Sequence, residues 1–330
     1  MSALPVELVR AEPPETPRAG EIGRDIEGRS PLRLAWARLR HDRVAIASTV
    51  TIAMLVLVAV GAPLIAHLVG HGPYTQYRLT GLTRDGLPVG PSGRFLLGTD
   101  NLGRDLFVRI VYGARVSLLV GVGSTLIAIT AGVVIGVAAG YLGGVVDTFL
   151  ARFMDVVLSF PFLLVAIAIV SVVGPSLTVS VLVIAFFSWA TVGRIIRGQT
   201  LSIREREYIE AARSLGAGDL RIMVVDVLPN LEAPIIVYTT LLIPTAIVFE
   251  STLSFLGLGV VPPTPTWGSL LADSLQYYQV AWWYVLFPGL ALLITTLAFN
   301  LLGDSVRDAL DPRTERVFAT RAGRRRWRAS

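Results

Sequence analysis

The 330-residue chain contains no cysteine, so neither a disulfide framework nor a thiolate metal site is possible. Lysine is absent as well, all 29 basic residues being arginine. Without lysine there can be no G-x-x-x-x-G-K-[ST] phosphate loop, which excludes ATP hydrolysis by that route. Histidine is scarce, and His41, His67 and His71 lack metal-ligand spacing. Charge is thin too, at 16% of residues against 53% hydrophobic. A soluble domain of this size needs more charge to cover its surface, so lipid forms part of the solvent. No nucleophile–base pair or metal cluster is evident, and the chain reads as a non-enzyme by itself.

What the chain has instead is long apolar runs. Residues 1–30 are rich in Pro, Glu, Gly and Arg without apolar period, and are expected to be a flexible tail. Six stretches, near 44–68, 115–140, 150–173, 176–195, 232–254 and 280–302, are long enough to cross about 30 Å of hydrocarbon. Their length and lack of alternation predict an all-α membrane bundle rather than a barrel. The expected division is a tail over 1–43, a membrane domain over 44–302 and a basic tail over 303–330. Within the membrane domain lie outer loops at 69–114 and 255–279 and an inner loop at 196–231.

Arginine placement predicts the orientation. With the amino end inside, the inner segments hold 8 in the tail, Arg152, 6 from Arg194 to Arg221, and 8 from Arg307 to Arg328. The outer side holds 6, all between Arg78 and Arg115. Both termini are therefore expected in the cytoplasm. The net charge of +5 is spread over membrane flanks, which favours lipid headgroups over nucleic acid. The same reading covers the tail from Arg324 to Arg328.

Gly132, Gly136 and Gly140 recur every four residues and share one helix face, where a neighbouring backbone can approach closely. Pro161, Pro234, Pro244 and Pro288 lie in or near spans and are candidate kinks. Arg152 and Asp155 can pair on one face. Glu250 lies about 24 Å along its helix from Pro234, near the outer edge of the core, where a carboxylate must be paired or line water. Arg104, Arg109 and Arg115 are its expected partners at an outer mouth that also contains Asp105, with direct contact to solute as the rival role. Residues 267–278, with Trp267, Tyr277, Tyr278, Trp282 and Trp283 in or near them, suggest an interfacial helix.

The stretch from Gln199 to Asn230 is the most informative polar segment. Tyr208, Ile209, Ala212 and Leu215 recur at helical spacing with Arg and Glu opposite. Gly216 can end this helix in a left-handed turn. Asp219 can cap or favourably charge a second short helix over 219–227. Together they predict a compact knob suited to a groove on a soluble partner.

Glu210-Ala211-Ala212, three residues, Gly216, and later Leu228-Pro229 together resemble the "EAA" signature of ABC importer permeases. Strict spacing would place an aliphatic residue at 226, where this chain has Asp226, with Val227 one residue later. Three further segments are similar to the C-type subunits of dipeptide, oligopeptide and nickel importers: Leu97 to Asp105 with Arg109 and Tyr112 to Leu118; Glu250 to Gly259 with Pro262 to Gly268; and Asn300 to Asp304 with Arg307, Asp308, Asp311 and Arg313. The resemblance implies a type I-like bundle in a bacterial cytoplasmic membrane. It also implies a second homologous permease, two ATPase subunits carrying ATP and Mg²⁺, and an extracytoplasmic solute-binding protein. This chain itself would bind no cofactor, and its 196–231 loop would couple ATPase movement to alternating access. The solute expected is a di- or oligopeptide, with nickel or another small solute as the alternative. A proton- or sodium-coupled transporter is the rival class; it calls for midplane acids, and here the acids lie at span ends.

Overall fold

A computed structural model describes residues 31–311. The expectations for residues 1–30, for Arg313 and for 324–328 lie outside the described residues. The rest is helical, with two isolated β-bridges and no strand among the described residues.

Helix α1 (Pro31–Leu39) was not expected from the sequence; it packs on the end of the last helix, where Arg38 Nη1 donates to the Ala309 carbonyl (3.0 Å). The first apolar run divides at Gly61 into α2 (Arg43–Val60) and α3 (Ala62–Val69), with Pro63 in the first turn of α3. There its missing N–H leaves no helical acceptor unpaired. Helix α4 (Leu106–Leu142) is 37 residues long, about 55 Å. It begins nine residues before the apolar run suggested, because the Asp105 carboxylate accepts from Val108 N (3.2 Å) and caps it. Arg109 and Arg115 are therefore helical residues on a stem longer than the hydrocarbon core.

The third apolar run is α5 (Gly144–Ser159) followed by α6 (Phe162–Val173), bent by 84°. Pro161 lacks the donor that would continue α5 and forces Phe160 into an extended conformation. Helix α7 (Leu177–Arg204) returns after Gly174-Pro175 and runs nine residues past the expected end. It lies along α4 through the glycine stripe, as close packing of that stripe requires. A Cβ on Gly132 would sit 2.6 Å from Val192 Cβ, and one on Gly140 2.7 Å from Thr200 Cβ. Val120, Ala128, Met154, Ile184 and Ala190 form the core between α4, α5 and α7.

Helix α8 (Glu207–Ser214) and the short α9 (Asp219–Arg221) follow, then α10 (Glu232–Phe255), α11 (Trp267–Ser274) and α12 (Trp282–Leu310). Trp267 is fully buried, its indole N–H donating to Ile110 O (3.1 Å), so α11 is wedged into the bundle rather than laid on its surface. Five uninterrupted helical runs are long and apolar enough to span a bilayer, and the bent α5–α6 pair makes a sixth. The fold is thus an all-α, six-span membrane bundle. Residues 196–231 lie at one end, here the elbow end, and residues 70–105 at the other, the mouth end.

Candidate functional sites at the two ends of the bundle

At the elbow end, α8 turns away from α7 and buries Ile209, with Ala212 packed beside it, on a core containing Val137, Tyr141, Ile196 and Ile222. Glu210 and Ala211 face solvent. Gly216 adopts φ +82°, the left-handed conformation that favours glycine, and reverses the chain. The apolar face read from the sequence is split. Leu215 is 88% exposed and Leu220, across the turn, 72%, while Tyr208 also points outward.

The second arm is not the separate helix expected over 219–227. Asp219–Phe255 is one helical run, α-helical to Arg221, π-helical over Ile222–Val227 and 3₁₀ over Leu228–Leu231 before α10. The cause is Pro229, exposed and without a backbone N–H, whose ring would clash with the carbonyl four residues earlier in a regular α-helix. The wider π turn absorbs one extra residue, and Leu228 N donates to Met223 O instead. It also explains the displaced aliphatic: Ile222, Val227 and Leu231 all point into the core, and Asp226 does not. Asp219 does not cap its helix with its side chain. Its carboxylate stands in the first turn, where the helix dipole favours it, and accepts from the Tyr141 hydroxyl (3.2 Å).

Tyr141, at the end of α4, latches both arms. Its hydroxyl also accepts from Arg213 Nε (3.3 Å), and the Arg213 guanidinium lies 5.0 Å from its ring centroid. The hydrogen bond with Tyr141 holds the Arg213 guanidinium above its ordinary pKa. Nearby, Arg197 on α7 grips Asp147 on α5, its Nε donating to Oδ1 and its Nη2 to Oδ2 (the latter 2.7 Å). Arg152 and Asp155 are only loosely paired (3.8 Å), because Arg194 on α7 approaches Asp155 to 2.6 Å.

At the mouth end, the expected pairing of Glu250 with arginine is not what the structure contains. Glu250 is fully buried among hydroxyls: Ser117 donates to Oε2 (2.9 Å), Ser254 to Oε1 (2.7 Å), and Ser251 and Thr266 also contribute. The arginines already have a carboxylate outside the spans. Asp100 accepts from Arg104 Nε (2.6 Å) and lies 3.1 Å from Arg109 Nε. Arg109 Nη1 further reaches the Pro73 and Pro263 carbonyls (3.1 and 3.4 Å), tying two mouth loops together. Asp105 caps α4 and contacts His71 Nδ1 (2.6 Å). Arg115 alone of these is exposed and has no partner among the described residues. Burial pushes the Asp273 carboxyl of α11 up, against the opposing pull of Arg109 and Arg104. No cluster of metal-ligating side chains occurs among the described residues.

Residues 132–316, more than half of the chain, match the sequence profile described as "binding-protein-dependent transport system inner membrane component". The chain belongs to this family of ABC importer permeases. The permease also matches, over residues 30–85, the amino-terminal membrane domain of oligopeptide transport permease C. It is 43% identical over 284 residues to the di/tripeptide transport system permease protein DppC of Pseudomonas aeruginosa, covering 86% of this chain and 93% of that one. Against the dipeptide transport system permease protein DppC of Escherichia coli K12 the identity is 44%, with 86% and 94% covered. Against the glutathione transport system permease protein GsiD of Shigella flexneri it is 41% over 285 residues, with 86% and 91% covered. Among solved structures, the inward-facing MetNI methionine ABC transporter superposes with a TM-score of 0.50 at 16% identity, over 62% of this permease and 96% of that chain. That likeness concerns the fold alone.

Sequence reasoning missed Tyr141, whose position at a helix end with a phenol available was the one usable signal. It also missed Asp147, whose partner Arg197 lies fifty residues away. Neither pairing has a local spacing to reveal it.

Proposed function

We propose that this permease is half of the membrane pathway of an ATP-driven importer of di- and oligopeptides. It works beside a second homologous permease, two ATPase subunits that carry ATP and Mg²⁺, and an extracytoplasmic solute-binding protein. The elbow end and both termini face the cytosol, a reading supported by the excess of arginine on that side. The identities of 43% and 44% to permeases named for dipeptides support the solute class.

The observation that carries the proposal is the exposure of Leu215 and Leu220 at the tip of an elbow whose other face is fixed to the bundle. Two large aliphatic side chains left in water beside Glu210, Ala211 and Gly216 suit the groove of a soluble partner. Because the second arm is continuous with α10 through Leu228 and Pro229, a displacement at the tip enters the fifth span directly. The Tyr141 latch carries the same displacement to α4 through Asp219 and Arg213. ATP-driven closure of the ATPases thereby biases the bundle between two arrangements, provided that the elbow makes different contacts in each. At the mouth, Arg104, Asp105 and Arg109 brace the loops, Glu250 joins α4 to α10, and Arg115 is left to meet a neighbour.

The test is uptake by the whole transporter in proteoliposomes. Dipeptide uptake should survive a proton uncoupler and stop when the ATPase is inactivated. Glu210→Arg should let hydrolysis continue while uptake falls; wild-type uptake in that variant removes the docking role.

A further inference from the structure

A cavity of about 360 Å³ lies beside the break between α5 and α6, bordered also by α7 and α10 and partly open. Ser188 stands about 17 Å from the Leu177 end of its helix, and Thr245 about 15 Å from the Phe255 end. Both are therefore near the middle of a hydrocarbon core about 30 Å thick. Irregular backbone such as Ser159 to Pro161 is tolerated at that depth only inside protein or beside a polar space.

Four hydroxyl-bearing side chains line this cavity: Ser188, Thr191, Tyr238 and Thr245. Elsewhere in these spans many serines and threonines donate to the carbonyl four residues earlier, as Ser180, Thr239 and Thr252 do, while the buried Thr125 and Thr200 hydroxyls have no partner among the described residues. Thr245, at the cavity, also donates four residues back. Ser188 is only 7% exposed, yet its hydroxyl has no hydrogen-bond partner among the described residues, and the same holds for Thr191 and Tyr238. Buried Ser188, half-buried Tyr238 and exposed Thr191 thus present three free hydroxyls to one space in the bilayer interior, which suits a polar occupant. No charged side chain lines the cavity. On the mouth side, one turn beyond Thr245, Phe249 stacks on Phe162 with centroids 4.1 Å apart, and both rings line the cavity.

We propose that this cavity is a transit site for the solute, in which Ser188, Thr191 and Tyr238 hydrogen-bond the amide backbone of a short peptide below an aromatic gate formed by Phe162 and Phe249. The inference rests on the peptide-importer reading. Hydroxyls can donate or accept, so they fit both the carbonyl and the N–H of an amide without selecting a side chain. A site without charge holds the peptide weakly enough to release it. The break at Pro161 lets α5 and α6 move separately, as opening such a gate requires.

The chain has no native cysteine, so Thr191→Cys gives it a single thiol. The complete transporter, with both permeases, the ATPases and a solute-binding protein loaded with dipeptide, is reconstituted, and maleimide labelling of this chain is followed during ATP hydrolysis. Labelling should slow when dipeptide is delivered. In parallel, Ser188→Ala, Thr191→Val and Tyr238→Phe combined should lower uptake per ATP hydrolysed by about tenfold, as the loss of several neutral hydrogen bonds predicts. Labelling that is the same with and without dipeptide overturns the site, including the case of constant protection, which would mean that the second permease fills the space. Wild-type transporter that imports dipeptide, combined with a triple variant that imports it equally well, overturns this inference alone. Wild-type transporter that imports no dipeptide overturns the peptide reading and the site with it.

Discussion

Replacing Tyr141 by phenylalanine isolates the latch that joins the elbow to the bundle. The substitution keeps the buried ring, and with it the stacking of Arg213 at 5.0 Å, and removes only the hydroxyl. Two hydrogen bonds go, the one donated to Asp219 (3.2 Å) and the one accepted from Arg213 (3.3 Å). Bonds to charged groups are worth about 1.5–3 kcal/mol each when buried, but Arg213 and Asp219 are both exposed. Water replaces much of what is lost, so a total of about 1 kcal/mol is the reasonable figure. That corresponds to about a fivefold larger population of the undocked elbow. Hydrogen exchange of residues 207–221 should accelerate by that factor, with exchange in α7 unchanged, and uptake per ATP should fall. Exchange in Tyr141→Phe equal to wild type would mean that buried Ile209 and Ile222 hold the elbow alone, and would refute the latch.

Two glycines of α4 and the buried Glu250 give further outcomes. Gly136→Ala should destabilise the α4–α7 contact by about 1–3 kcal/mol, since its Cβ would meet the Gly193 carbonyl at 2.7 Å, and a lowered melting temperature in detergent checks it. Gly123→Ala on the same helix, with its nearest neighbour 4.0 Å away, should leave that temperature unchanged or raise it. Glu250→Ala should cost about 1–3 kcal/mol by stranding its buried hydroxyls. Glu250→Gln, which can still bond them, should cost less, and no charge swap with Arg104, Arg109 or Arg115 should rescue Glu250→Arg.

The six spans and the elbow were legible because each is written locally. Apolar runs declare their own length, and Gly216 declares its turn. The bend at Pro161 was legible as a possible kink, but its 84° angle depends on what packs around α6. The shifted Val227 looked like a mismatch only because regular α-helical spacing was assumed through Pro229. The π turn that restores its inward direction is a response to that proline. The mouth was misread for a different reason. Arginines near a buried glutamate invite pairing, but Asp100 had already claimed two of them outside the spans. The serines that satisfy Glu250 come from α10 itself and from α4, more than a hundred residues away. Polar contacts across that separation leave no period in the chain.

The docking of the elbow is tested most directly by a single cysteine in place of Leu215, in a chain that otherwise has none. In membranes containing the whole transporter, this thiol should cross-link to the ATPase subunit, with a yield that changes between nucleotide-free and ATP-bound states. A cross-link to the solute-binding protein instead, or none to the ATPase in either state, would contradict the account.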